Sequence, residues 1–162
     1  MSRRYCFDTN VIVEILTNNV AGQRTPAEWQ GIKDLTRDVD SGRATLVLPT
    51  IIFAELLPSH HGDIELLERL FQRKAIELRD LTVRIARRAA ELRDQGKARG
   101  GKFLRTPDAI FLATAEIAKV DELFSLDPDV FKHVTLQVKV SKPHSAILPL
   151  LPGVDPPPKW DP

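Results

Sequence analysis

At 162 residues, with 43% hydrophobic and 28% charged side chains, the chain has the length and balance of one globular domain with a substantial core, which excludes a disordered or fibrous polymer. Its 23 basic and 22 acidic residues leave a net charge of +1, so overall charge points neither toward nor away from nucleic acid, and only its local distribution is informative. A single cysteine excludes an intrachain disulfide, and no apolar run approaches the roughly 18 residues of a membrane span; the expectation is a soluble, cytoplasmic protein with no membrane partner.

The amino terminus passes from Met1-Ser2-Arg3-Arg4 into Tyr5-Cys6-Phe7, a β-favouring run that predicts the first strand and leaves no room for a signal-peptide core. Cys6, inside that strand, reads as a small buried apolar filler. The strand stops at Asp8-Thr9-Asn10, and Val11 to Leu16 reads as a helix. Thr25-Pro26 is a cap followed by proline, opening a helix that runs to about Ser41-Gly42. Ala44 to Leu48 predicts the second strand, and Ile51 to Leu57 a short helix that carries Glu55 among apolar neighbours and stops at Pro58. Leucines 66, 67 and 70 with Phe71 give a helix over Asp63 to Arg73, and Ala75 to Leu78 a third strand.

Thr82 is placed to cap a helix whose buried stripe is Ile85, Ala89 and Leu92. Thr106-Pro107 repeats the cap-plus-proline signal, with Asp108 in the first turn of a helix apolar nearly all round from Ala109 to Ala115. Glu122 to Ser125 predicts a fourth strand, ending at Leu126-Asp127-Pro128-Asp129, and Leu136 to Val140 a last one. Short strands alternating with helices predict an α/β fold, a mainly parallel central sheet with helices on both faces. The tail from Ser141 holds seven of the twelve prolines, so residues 1–140 are expected to form the domain and residues 141–162 a proline-rich extension.

Four acids fall just past predicted strands or in the first turn of a helix: Asp8, Glu55, Asp108 and Asp127. In an open α/β sheet that edge is the ligand side. Each acid also has a structural explanation of its own: Asp8 as a helix cap, Asp108 as a complement to a helix dipole, and Asp127 and Asp129 as turn formers around Pro128. Glu55 resists such an explanation, because an unpaired charge in its apolar setting is costly. Gathered in one crevice, these carboxylates would take up protons or recruit a cation, and oxygen-only donors favour Mg²⁺ or Mn²⁺.

Asp8-Thr9-Asn10, Glu55-Leu56, Pro107-Asp108-Ala109-Ile110 before an alanine-rich helix, and Ser125-Leu126-Asp127-Pro128-Asp129-Val130-Phe131 resemble, in this order, the PIN domain, and within it the VapC-type ribonuclease toxins of toxin-antitoxin modules. The resemblance runs from about Arg4 to Val140 and implies a three-layer α/β/α sandwich with Mg²⁺-dependent endonuclease activity on RNA. It carries Asp8, Glu55, Asp108 and Asp127 over as catalytic acids, with Asp8, Asp108 and Asp127 as metal ligands. Ser125 stands where the family usually has a threonine, and Asp129 on a second, less constant acidic position. Asn10 and Ser125 are expected to face substrate. The resemblance further implies a homodimer and an antitoxin that inserts into the acidic groove.

A nest of carboxylates repels the backbone it must cut, and eight basic residues stand against Glu91 and Asp94 between Arg84 and Arg105. Those up to Arg88 read as a solvated helix face, whereas Lys97 to Arg105, including Lys102, are expected to contact phosphate. Two other functions fit the pattern less well. A phosphatase with an aspartate nucleophile would want an acid at position 10, which is Asn. An interaction protein that keeps the fold without activity is disfavoured by the presence of all four acids. His60 and His61 are adjacent, with His133 and His144 far along the chain, so paired histidine catalysis is not expected.

Overall fold

A computed structural model of the chain describes residues 2–17, 24–56, 71–98 and 104–144. Five strands, β1 (Arg3–Phe7), β2 (Ala44–Pro49), β3 (Ile76–Arg79), β4 (Glu122–Phe124) and β5 (Lys139–Ser141), form one all-parallel sheet in the order β3-β2-β1-β4-β5. Helices α1 (Thr9–Thr17), α2 (Pro26–Asp40), α3 (Ile52–Leu56), α4 (Val83–Ala98) and α5 (Thr106–Ile117) make up the outer layers of an α/β/α sandwich. The chain adds strands to one side of β1 and then, through β4 and β5, to the other. The order therefore reverses between β1 and β4, the point where open α/β sheets place a ligand crevice at the carboxyl ends of the strands.

A parallel sheet covered on both faces needs strands that are apolar throughout rather than alternating. Tyr5, Cys6 and Phe7 are accordingly all buried, and β2 is buried from Leu46 to Pro49. Tyr5 and Phe7, on the same side of β1, both meet the edge of Phe124 on β4, with ring centroids 5.4 and 6.0 Å apart. Cys6 is fully buried on the other side, and burial pushes its thiol pKa far up, consistent with an inert filler. Every residue of α5 from Asp108 to Ala115 is buried, because this helix is wedged between the sheet and α4. Its Ala109 and Ala113 are fully buried.

The local signals explain most of the boundaries. Thr25 and Glu28 form a reciprocal capping box at the start of α2, and Gly42, at φ 72°, supplies the left-handed turn after the Ser41 cap. At α5 the expectation is corrected. Thr106 is the first helical residue and Arg105 holds the cap position, with no side-chain cap bond. The last strand also shifts. Pairing begins at Lys139, because the Gln137 N–H goes to the side chain of Glu116 (3.1 Å) and Leu136 is exposed.

Residues 141–144, assigned from sequence to the extension, continue the folded body: Ser141 closes β5, and the Pro143–His144 backbone lies against Gly31 of α2. The helix expected over Asp63 to Arg73 lies almost wholly outside the described residues, as do His60, His61 and the tail beyond His144. No helix among the described residues is long and apolar enough to cross a membrane.

Candidate active site

Asp8 leaves the end of β1, between the carboxyl ends of β2 and β4, and is 5% exposed. Its backbone carbonyl accepts the Val11 and Ile12 N–H groups at the start of α1, so it does stand at a helix start. The carboxylate does something else. One oxygen accepts the Thr9 N–H at 2.8 Å; the other accepts the Ser125 hydroxyl at 2.8 Å and the Asn10 amide at 3.1 Å. Ser125 follows β4 directly, so the two strand ends at the reversal point are joined through this one carboxylate.

Asn10 closes the loop. Its Nδ2 also reaches the Ser125 hydroxyl oxygen (3.3 Å), its Oδ1 accepts the Leu126 N–H (3.1 Å), and the Asp127 N–H reaches Ser125 Oγ (3.2 Å). Asn10 and Ser125, both expected to face substrate, are thus committed to holding Asp8. Asparagine suits the task because its amide donates and accepts at once.

Glu55, from α3, is half-buried and accepts a hydrogen bond from the Thr9 hydroxyl. Thr9 is the residue the sequence reading passed over. The available signal was a hydroxyl directly after Asp8 on the first helical position. Asp108, in the first turn of α5, is 4% exposed, and both its oxygens receive N–H groups of Arg105, at 2.9 and 3.0 Å. The sequence reading gave Arg105 to phosphate; the structure pairs it with an acid three residues on. Asp127 and Asp129 are exposed, flanking the start of a 3-10 helix (Pro128–Phe131), and only the Asp127 backbone joins the network around Asp8. Lys102 lies outside the described residues.

Electrostatics tie three of the acids together. The carboxyl of Asp8 is pushed up to about 6, chiefly by burial and further by the charges of Asp108 and Glu55, against the opposing hydrogen bonds from Ser125 and the Thr9 N–H. The Arg105 guanidinium pKa is raised, first by its bonds to Asp108 and more weakly by the charges of Glu55 and Asp8. Asp8, Glu55, Asp108 and Arg105 therefore share one crevice. Its acidic groups offer only oxygen donors, and three carboxyl groups stand there against one guanidinium. That composition fits a hard divalent cation. Among the described residues no three acidic, histidine or cysteine side chains are already drawn together closely enough to hold one.

Comparison with known proteins bears on the family and the fold. The PIN domain family matches residues 5–136 of the 162. None of the curated proteins matches. Among solved structures, the chain is similar to a chain of VapBC2 from Rickettsia felis bound to a DNA fragment from their promoter, with a TM-score of 0.63 and 18% identity over 86% of this chain and 98% of that one. It is similar to a chain of VapBC-1 from nontypeable Haemophilus influenzae, with a TM-score of 0.60 and 18% identity over 86% and 97% of the two chains. FitAcB from Neisseria gonorrhoeae gives a TM-score of 0.60 and 19% identity over 86% of this chain and 97% of the matched one.

Proposed function

This chain belongs to the PIN-domain family, and on that premise we propose that it is a divalent-metal-dependent endoribonuclease, the toxin of a toxin-antitoxin pair. The observation that carries the proposal is that Asp8, Glu55 and Asp108 lie within electrostatic reach of one another at the strand-order reversal, two of them almost fully buried. Buried like charges raise each other's cost, and a fold retains such an arrangement where a cation or a reaction uses it.

Asp8 and Asp108 would hold Mg²⁺ or Mn²⁺, with Asp127 as a third candidate ligand. A divalent ion in such a site supplies Lewis acidity at a phosphodiester oxygen and lowers the pKa of a bound water. The chain's own residues do the rest. Ser125, Asn10 and the Thr9 N–H fix both oxygens of Asp8 and favour its charged form. Glu55, oriented by Thr9, accepts a proton from the attacking water. Attack in line leaves a 5′-phosphate and a 3′-hydroxyl with no covalent enzyme intermediate. Arg105, with Lys102 in the same segment, supplies positive charge for the RNA backbone.

One solved neighbour, from Klebsiella pneumoniae, is described as a toxin-antitoxin complex, which supports an antitoxin partner for this chain; a homodimer is the accompanying expectation. The test is to incubate the purified protein with a mixed RNA pool, with and without Mg²⁺, beside Asp8→Asn, and to map the ends. Mg²⁺-dependent cuts bearing 5′-phosphates, absent from the variant, are expected. Equal cleavage by the variant, or cyclic phosphate ends, would remove the acidic site from the mechanism. Absence of both cleavage and ion binding would leave the alternative, an inactive interaction protein on the same fold.

A further inference from the structure

Arg105 occupies a position that its own helix disfavours. It is the cap residue of α5, where an acceptor side chain is preferred and where the positive end of the helix dipole repels a cation, and it makes no side-chain cap bond. Its side chain is 76% exposed, so burial does not hold it there either. What does is Asp108, whose side chain is 5% exposed and receives both arms of the guanidinium fork, at 2.9 and 3.0 Å. A residue that breaks the local rule and is held by one charged partner marks a functional compromise.

We infer that Arg105 is a resident competitor for the divalent ion: it neutralises Asp108 while the crevice is free of metal and must release it for the metal to bind. This rests on the metal-dependent reading above. While the fork is in place, both Asp108 oxygens are engaged and a full positive charge lies about 3 Å away, so the crevice attracts a second cation less strongly. The fork is easily released because Arg105 is exposed and gains water when it swings out. Arginine suits this better than lysine, since only the planar fork takes both carboxylate oxygens at once.

The test compares the full-length protein with Arg105→Met and Arg105→Lys, titrating Mn²⁺ by calorimetry and recording thermal melts with and without saturating Mn²⁺; Asp8→Asn shows which heat belongs to the crevice. In the methionine variant Mn²⁺ is expected to bind about three- to tenfold more tightly, with lysine intermediate. The melts should cross over. Without metal the methionine variant melts below wild type, because Asp108 has lost its counter-charge, yet it gains more from added Mn²⁺. Unchanged or weaker Mn²⁺ binding in both variants, with normal binding by wild type, overturns the inference and leaves the nuclease reading intact. No binding by any of the three proteins overturns both. Should the methionine variant fail to fold, lysine decides the question, since it keeps the charge and loses the second arm.

Discussion

Replacing Asp8 by asparagine should make the metal-free protein more stable at neutral pH, although it removes the residue on which the proposed chemistry centres. The native carboxyl has a pKa of about 6, against 3.8 for an unhindered aspartate. Because the folded value is the higher one, the native state holds its proton longer than the unfolded chain does. Stability therefore falls as pH rises from 3.8 to 6 and is level above that. The difference of about 2.2 pH units corresponds to about 3 kcal/mol of penalty at pH 7.5, and to only about 0.5 kcal/mol at pH 4. Asparagine escapes the penalty. It also presents an amide where one oxygen now accepts a hydrogen bond, which takes back about 1 kcal/mol. The net gain at pH 7.5 is about 2 kcal/mol, or about 4–8 °C in Tm for a chain of this size. Urea unfolding of both proteins in a chelator at pH 4 and pH 7.5 isolates the effect, because other titrations cancel between them. Added Mg²⁺ should then stabilise wild type alone. A variant less stable than wild type at pH 7.5, by the amount seen at pH 4, would refute the account of Asp8 as a charge held against its preference.

Ser125→Ala removes a hydrogen bond that favours the ionised form of Asp8, so the carboxyl rises further above 6 and the acid limb of the rate–pH profile moves to higher pH; an unmoved limb would detach Ser125 from Asp8. Arg88→Met strands Glu116, 2% exposed and 2.7 Å from the arginine, at the contact of α4 with α5, and should cost about 2–4 kcal/mol in urea unfolding. Gly31→Ala, a change that ordinarily stabilises a helix by about 1 kcal/mol, should lower Tm instead, because the new methyl would stand 2.6–2.8 Å from the backbone of Pro143 and His144.

Local chemistry carried the fold and the positions of the acids in the candidate site. Tyr5-Cys6-Phe7, the capping box at Thr25 and Glu28, and the all-apolar face of α5 each state their structure within a few residues, because strand propensity, capping and burial are short-range preferences. Asp8, Glu55 and Asp108 were legible for the same reason: strand ends and first turns are recognisable places, and sheet topology decides that they share an edge. The partners of those acids were not legible. Asn10 and Ser125 read as residues facing substrate, since nothing within one segment shows that a side chain 115 positions away supplies the other half of a hydrogen bond. Lys139 became the start of β5 in preference to Leu136 through the demand of Glu116, on a different helix, for the Gln137 N–H. Arg105 was legible as a cation and illegible as a counter-ion, because exposure and pairing are properties of the folded crevice.

The two buried acids of the crevice are handled in opposite ways. Asp8 receives only neutral donors, the Thr9 N–H, the Asn10 amide and the Ser125 hydroxyl, which orient it without cancelling its charge. Asp108 receives a full positive charge from an exposed side chain. Neutral donors belong in place whether or not a cation is present; on the inference drawn above, the guanidinium is needed only while the cation is not. If both acids had arginine partners the crevice would be stable and inert, and if both had neutral donors alone, two uncompensated charges would burden the metal-free fold. On the proposed reading, this division of labour would let one carboxylate stay fixed as the point of attachment while the other changes partners, as a site loaded and unloaded with a divalent ion requires.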